Sequence, residues 1–147
     1  DPVLVGSIVL DTVRRFEHSA DREIGWRHVP RLYLATIPEN QARRRRDFLN
    51  DIVRYADRLW EQLIDPLGQY PITHDTYLKM WQLDGPTLGY DTILFDEAQD
   101  ASPVMLDVVN QQDQAQRIFV GDTHQQIYAR RGAIDALQQV VAPSLPL

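Results

Sequence analysis

Cysteine is absent from this 147-residue chain, which removes disulfides and thiolate metal sites from consideration and is compatible with a reducing compartment. Lysine is nearly absent too: Lys79 is the only one, and arginine supplies the rest of the basic side chains. Acidic residues outnumber basic ones, 21 against 15, for a net charge of −6. A domain that grips nucleic acid alone carries an excess of positive charge, so this balance argues against strong independent DNA binding. No apolar run approaches the roughly 18 residues of a membrane span. The first residues lack the basic segment of a secretory leader. Glycine is sparse at seven residues, and none opens a G-x-x-x-x-G-K-S/T loop, so the sequence contains no such cradle for nucleotide phosphates. Neither a solenoid-type repeat nor a low-complexity tract is present. The chain opens on Asp1 rather than on methionine and reads as an excised or processed fragment.

What is there is an ordinary globular balance, 44% hydrophobic and 24% charged. It divides into two patterns. Residues 1 to about 83 read as helices. Asp1 is a candidate N-cap followed by Pro2 in the first turn. Leu4, Ile8, Val9, Val13 and Phe16 then recur at helical spacing. Gly25 and Pro30 interrupt the next stretch, where Trp26 is expected to anchor into the core. The strongest helix spans about 40 to 65, with Phe48, Leu49, Ile52, Val53, Ala56, Leu59, Trp60, Leu63 and Ile64 on one wide stripe, ended by Pro66 and Gly68. A shorter helix follows Thr73, with Tyr77, Leu78, Met80 and Trp81 as its expected packing face. Trp26, Trp60 and Trp81 all read as core. The turn chemistry of Asp84-Gly85-Pro86 marks the expected boundary.

Residues 88 to 142 alternate strand and helix. Thr92-Ile93-Leu94-Phe95 leads directly into Asp96, and Arg117-Ile118-Phe119-Val120 leads into Gly121-Asp122. The roughly 20 residues between them, with a helical segment at 103 to 110, suffice for a parallel crossover. Short apolar runs without alternation suit strands buried on both faces. The reading is an α/β fold in which both acids stand at the carboxyl ends of parallel strands, the edge where open α/β sheets bind ligands.

Asp96 at a strand end is suited to holding Mg²⁺ while the metal bridges nucleotide phosphates. Glu97 beside it is suited to orienting or deprotonating an attacking water. Taken alone, the pair also suits a bland role, carboxylates favouring a helix N-terminus. Asp96, Glu97, Asp100 and Asp122 together admit a metal-nuclease reading as well. After the second strand, Gly121 permits a tight turn. Gln125, neutral and bifunctional, can touch a phosphate oxygen without repelling it. Arg43-Arg44-Arg45-Arg46 either meets phosphates or forms a solvated first turn, and as a cationic start it opposes the helix dipole. His18, His28, His74 and His124 have no metal-ligand spacing and read as structural or surface residues.

Asp96-Glu97-Ala98-Gln99-Asp100, followed by Gly-Asp-x-x-Gln-x-Ile-Tyr-x-x-Arg-Gly-Ala from Gly121 to Ala133, resembles motifs II and III of UvrD/Rep-type superfamily 1 helicases. His74 to Leu83, Ser19-Ala20-Asp21 and His28-Val29-Pro30 resemble the F-box DNA helicase branch and its bacterial relatives, so the likeness covers nearly the whole chain and is weakest between Arg31 and Arg54.

The resemblance implies that residues 1–83 are most of the helical insert, 1B. It implies that residues 84–147 are the later part of a RecA-like P-loop NTPase domain, 1A. Asp96 would bind Mg²⁺, Glu97 would activate water and Gln125 would sense the γ-phosphate of ATP. Gln99, Asp100 and Asp122 would couple nucleotide state to neighbouring motifs. Tyr128, Arg130 and Arg131 would face single-stranded or junction DNA. The family carries Phe or Trp where this chain has Arg130. An aromatic there stacks on bases for roughly 1–3 kcal/mol, whereas arginine stacks through its guanidinium and also meets phosphate.

The parent expected from this is an ATP-dependent 3′-to-5′ DNA helicase of repair or recombination, at a bacterial nucleoid or in a nucleus. The isolated chain, without its phosphate loop, is expected to be inactive and to self-associate through exposed sheet edges. A non-catalytic remnant that binds DNA or protein is the alternative.

Overall fold

The computed structural model describes residues 1–122 apart from 36 and 39. By internal packing the chain divides into two compact units, Asp1–Leu83 and Asp84–Leu147.

In the first unit, Asp1 caps helix α1 (Pro2–Glu17), its carboxylate accepting the Val3 N–H at 2.9 Å. Helix α2 (Arg31–Leu34) is a single turn, and α3 (Ala42–Ile64) is the long helix expected from the apolar stripe. It ends at Asp65, before Pro66. Gly68 then turns so tightly that a Cβ would lie 2.7 Å from the Gln62 carbonyl oxygen. Helices α1 and α3 bury Ile8, Val9, Val13 and Phe16 against Ile52, Ala56 and Trp60, with Phe16 edge-on to Trp60 at 5.3 Å between ring centroids. Leu4, expected on the same stripe, is half-exposed in the first turn. Trp26 also departs from expectation: it is half-exposed in a 3-10 turn (Trp26–His28), and its indole N–H donates to Asn50 Oδ1 at 3.1 Å.

Helix α4 (His74–Asp84) corrects the expectation more sharply. Thr73 acts as its cap, its hydroxyl accepting the Thr76 N–H at 3.2 Å. Its buried face, however, is Thr76, Lys79 and Gln82, whereas Tyr77 and Trp81 are 50% and 43% exposed. The cause is the backbone at residues 19–21, which leaves α1 with carbonyls that need donors. Lys79 Nζ donates to the carbonyls of Ser19 and Asp21, and Gln82 Nε2 donates to that of Ala20 at 3.2 Å. The Lys79 ammonium also lies 4.2 Å from the centre of the Phe16 ring. Thr76 Oγ1 donates to Glu17 Oε1 at 2.6 Å.

The second unit holds β1 (Thr92–Phe95), a 3-10 turn (Ala98–Asp100), α5 (Pro103–Asn110) and β2 (Gln116–Phe119). The strands are parallel, as expected, with Leu94 opposite Ile118 and Phe95 opposite Phe119. Ser102 caps α5 through its hydroxyl, and Pro103 occupies the first turn. Buried Gln112 ties the incoming segment down: its amide donates to the Pro86 carbonyl at 2.8 Å and accepts the Leu88 N–H at 2.9 Å. Phe95 and Phe119 pack on Ala98, Ala101 and Leu106. Among the described residues the opposite sheet face is open, with Leu94 65% and Ile118 40% exposed. The expectation of strands buried on both faces is therefore corrected. Period-two alternation sends Phe95 and Phe119 to the covered side and Leu94 and Ile118 to the other.

Candidate functional site at the carboxyl ends of the strands

The ends of β1 and β2 are laced together. Val120 N–H donates to the Phe95 carbonyl, and Ala98 N–H returns to the Val120 carbonyl, both at 2.9 Å. Asp96 and Glu97 lie in the loop between these bonds and both are exposed. Asp96 Oδ1 accepts the Glu97 N–H at 2.9 Å, and among the described residues its second oxygen is left open. Glu97 has φ 54° and ψ 40°, and is the only non-glycine residue with positive φ among the described residues. A left-handed residue costs roughly 1–2 kcal/mol without glycine. It turns the chain from the strand into the 3-10 turn within one residue.

Gln99 spans the gap between the two strand ends. It is 2% exposed. Its Nε2 donates to Glu97 Oε2 at 2.6 Å, and its Oε1 accepts the Asp122 N–H at 3.0 Å. A carboxylate only accepts and a backbone N–H only donates, so the amide has one possible orientation. Gly121 makes room for it: a Cβ there would lie 2.2 Å from Gln99 Oε1 and 2.9 Å from the Ala98 nitrogen. The sequence suggests Gly121 for a tight turn, yet its φ is not positive, and what it supplies is clearance. Asp100 is half-buried at the end of the 3-10 turn, where its N–H donates to the Glu97 carbonyl at 2.9 Å.

Four of the residues singled out from the sequence thus converge: Asp96, Glu97, Gln99 and Asp122. Gln125, Tyr128, Arg130 and Arg131 lie outside the described residues. Among the described residues no group of three or more His, Asp or Glu could hold a metal ion alone. A single exposed carboxylate with a free oxygen suits a divalent cation whose other ligands are water and substrate oxygens, the usual state of Mg²⁺. In the arginine run, Arg45 is tied to the carbonyls of Ile37 and Leu34 at 2.9 and 3.1 Å, while Arg43, Arg44 and Arg46 are exposed. Buried His28 is structural: its Nδ1 accepts the Gly25 N–H at 2.9 Å, and its Nε2 faces Asp21 at 2.8 Å.

The family model of the UvrD/REP helicase N-terminal domain matches residues 13–140. The chain belongs to the UvrD/REP helicase family. Among curated relatives of this UvrD/REP chain, the F-box DNA helicase 1 of Gallus gallus is 39% identical over 140 residues, covering 92% of the chain and 14% of the relative. The F-box DNA helicase protein 1 of Schizosaccharomyces pombe is 35% identical over 134 residues, covering 88% and 14%. The chain therefore spans about one seventh of the length of these relatives. No solved structure matches it. Among the described residues, no helix is long and apolar enough to cross a membrane.

Proposed function

We propose that this UvrD/REP chain is part of the motor of an ATP-dependent DNA helicase, contributing a helical 1B-type insert (residues 1–83) and the later part of a RecA-like 1A-type domain (84–147). The observation that carries this reading is the placement of Asp96 and Glu97 just after β1, with Glu97 joined through Gln99 to the Asp122 N–H just after β2. When bound, ATP would supply the electrophilic γ-phosphoryl group and Mg²⁺ would neutralise its negative charge. Asp96 would hold the metal with its exposed carboxylate. Glu97, turned away by its left-handed backbone, orients a water and takes its proton at the carboxylate. Gln125 contacts the γ-phosphate, and Gln99, Asp100 and Asp122 couple the nucleotide to the following segment. Tyr128, Arg130 and Arg131 in that segment meet single-stranded or junction DNA.

The parent translocates 3′ to 5′ and acts in repair or recombination, in a nucleus or at a nucleoid. The 147 residues alone, without a phosphate-binding loop in their sequence, bind nucleotide poorly and do not turn it over. The deciding experiment is DNA-stimulated ATPase of the full-length parent beside its Glu97→Gln variant. Single-stranded DNA should stimulate the wild type, and the variant should bind ATP while losing at least about 10²-fold in kcat. A variant with unaltered turnover removes Glu97 from the chemistry.

A further inference from the structure

We infer that Gln99 is a positioning residue that aims the Glu97 carboxylate and makes its aim depend on where the Gly121-Asp122 segment stands. This inference rests on the reading of Glu97 as the water-activating group, and adds to it how that group is held.

The geometry leaves little freedom. Gln99 is buried in a short 3-10 turn, so its backbone is fixed by the Ala98 and Asp100 hydrogen bonds at either end. Its one side-chain amide serves two clients of opposite polarity, the Glu97 carboxylate at 2.6 Å and the Asp122 N–H at 3.0 Å. Rotating the amide to release either partner breaks both bonds, because neither partner can accept the other end. Glu97 is exposed and leaves the backbone in a left-handed conformation, so among the described residues no packed wall holds its side chain. Among the described residues, the Gln99 amide is the polar side-chain contact that orients it. The missing Cβ at Gly121 brings the second loop within reach of the same amide. A shift of the 121–122 segment by an ångström therefore pulls on Gln99 Oε1 and swings Nε2 away from Glu97. A misplacement of that size at a reacting group costs up to about a hundredfold in rate.

The test uses the full-length parent with single-stranded DNA present, measuring kcat and KM for ATP in Gln99→Met, Gln99→Glu and the combination of each with Glu97→Gln. Gln99→Met keeps the length and loses both bonds. Gln99→Glu keeps the acceptor for Asp122 N–H and loses the donor to Glu97. Each single variant should lose about ten- to a hundredfold in kcat with KM for ATP within about twofold. In the Glu97→Gln background, followed by single-turnover hydrolysis, either change should cost nothing further, because a residue that acts through Glu97 has nothing left to position. Losses that multiply with Glu97→Gln, a change confined to KM, or full activity in both variants would each overturn the inference. Should Gln99→Met fail to fold, Gln99→Glu decides the matter in the Glu97→Gln background, where size and the Asp122 bond are kept and no second carboxylate faces residue 97. A wild-type parent without DNA-dependent turnover overturns the Glu97 reading itself, and this inference with it. A working wild type beside unchanged variants overturns this inference only.

Discussion

At the scale of single residues, the site is governed by one absent methyl position. Gly121→Ala puts a carbon where 2.2 Å separates it from Gln99 Oε1 and 2.9 Å from a backbone nitrogen. The first clash can be relieved by moving a side chain and the second cannot. We expect Gly121→Ala to destabilise the second unit by about 1–3 kcal/mol and to depress kcat of the parent, with urea denaturation and steady-state ATPase as the measurements. The carboxylate pair was legible in the sequence because an apolar run ending in Asp-Glu is a local pattern. Gln99 was singled out only through the resemblance, and the bridge it makes was not legible at all. Its physical content lies in contacts between residues 97, 99 and 122, whose partners no local spacing specifies. The left-handed backbone at Glu97 was not legible either, since glutamate has no preference for it.

At the scale of elements, α4 shows where apolar periodicity misleads. Tyr77, Met80 and Trp81 look like a packing face, yet the helix buries Thr76, Lys79 and Gln82 because the partner is a run of backbone carbonyls rather than a greasy surface. Carbonyl demand has no signature in side-chain sequence. Lys79→Met should therefore destabilise the first unit despite being more apolar, by roughly 2–5 kcal/mol, because two buried carbonyls lose their donor. Chemical denaturation of the variant checks this, and a neutral or stabilising result would contradict the donor role.

The neighbouring Glu17 gives a pH dependence. Burial raises its carboxyl above the ordinary value of 4.5, and Asp75 adds to the rise. The Thr76 hydroxyl, His18 and Arg14 oppose it. The folded state thus holds this proton more tightly than the unfolded chain. The favourable contribution is complete below pH 4.5 and is lost as the pH rises through the folded value. Glu17→Gln keeps an acceptor for Thr76 and removes the titration. It should melt higher than wild type at pH 7, with the difference closing as the pH approaches 4.5. His28 runs the other way. Burial lowers its pKa from 6.5 against the pull of Asp21, so acidification below 6.5 weakens the same unit. By contrast α1, α3, α5 and the two strands were readable within a few residues, because caps, prolines and apolar stripes all act locally.

At the scale of the whole molecule, the open face of the two-stranded sheet is the main liability. Leu94 and Ile118 stand opposite one another in register and both are exposed. Adjoining apolar side chains on an open sheet favour association. The isolated 147-residue chain is expected to form concentration-dependent oligomers in sedimentation velocity, and Leu94→Lys should shift it towards monomer. A sharp monomer for the wild type at high concentration would count against this. The spacing of the two apolar runs indicated a parallel pair but not its one-sided burial, since a short apolar run reads the same whether one face or two is covered.

Gln99 and Gly121 also constrain the order in which descendants of this sequence can change. Lengthening residue 121 while glutamine remains at 99 meets a direct clash, whereas shortening residue 99 first leaves the two backbone approaches, 2.9 Å to the Ala98 nitrogen and 3.3 Å to the residue-99 nitrogen, to be relaxed. Mutational paths through this pair are thus directional. Chains with a side chain at 121 should descend from ancestors that had already given up the long amide at 99, and reconstruction of such lineages should find the two replacements in that sequence and not the reverse.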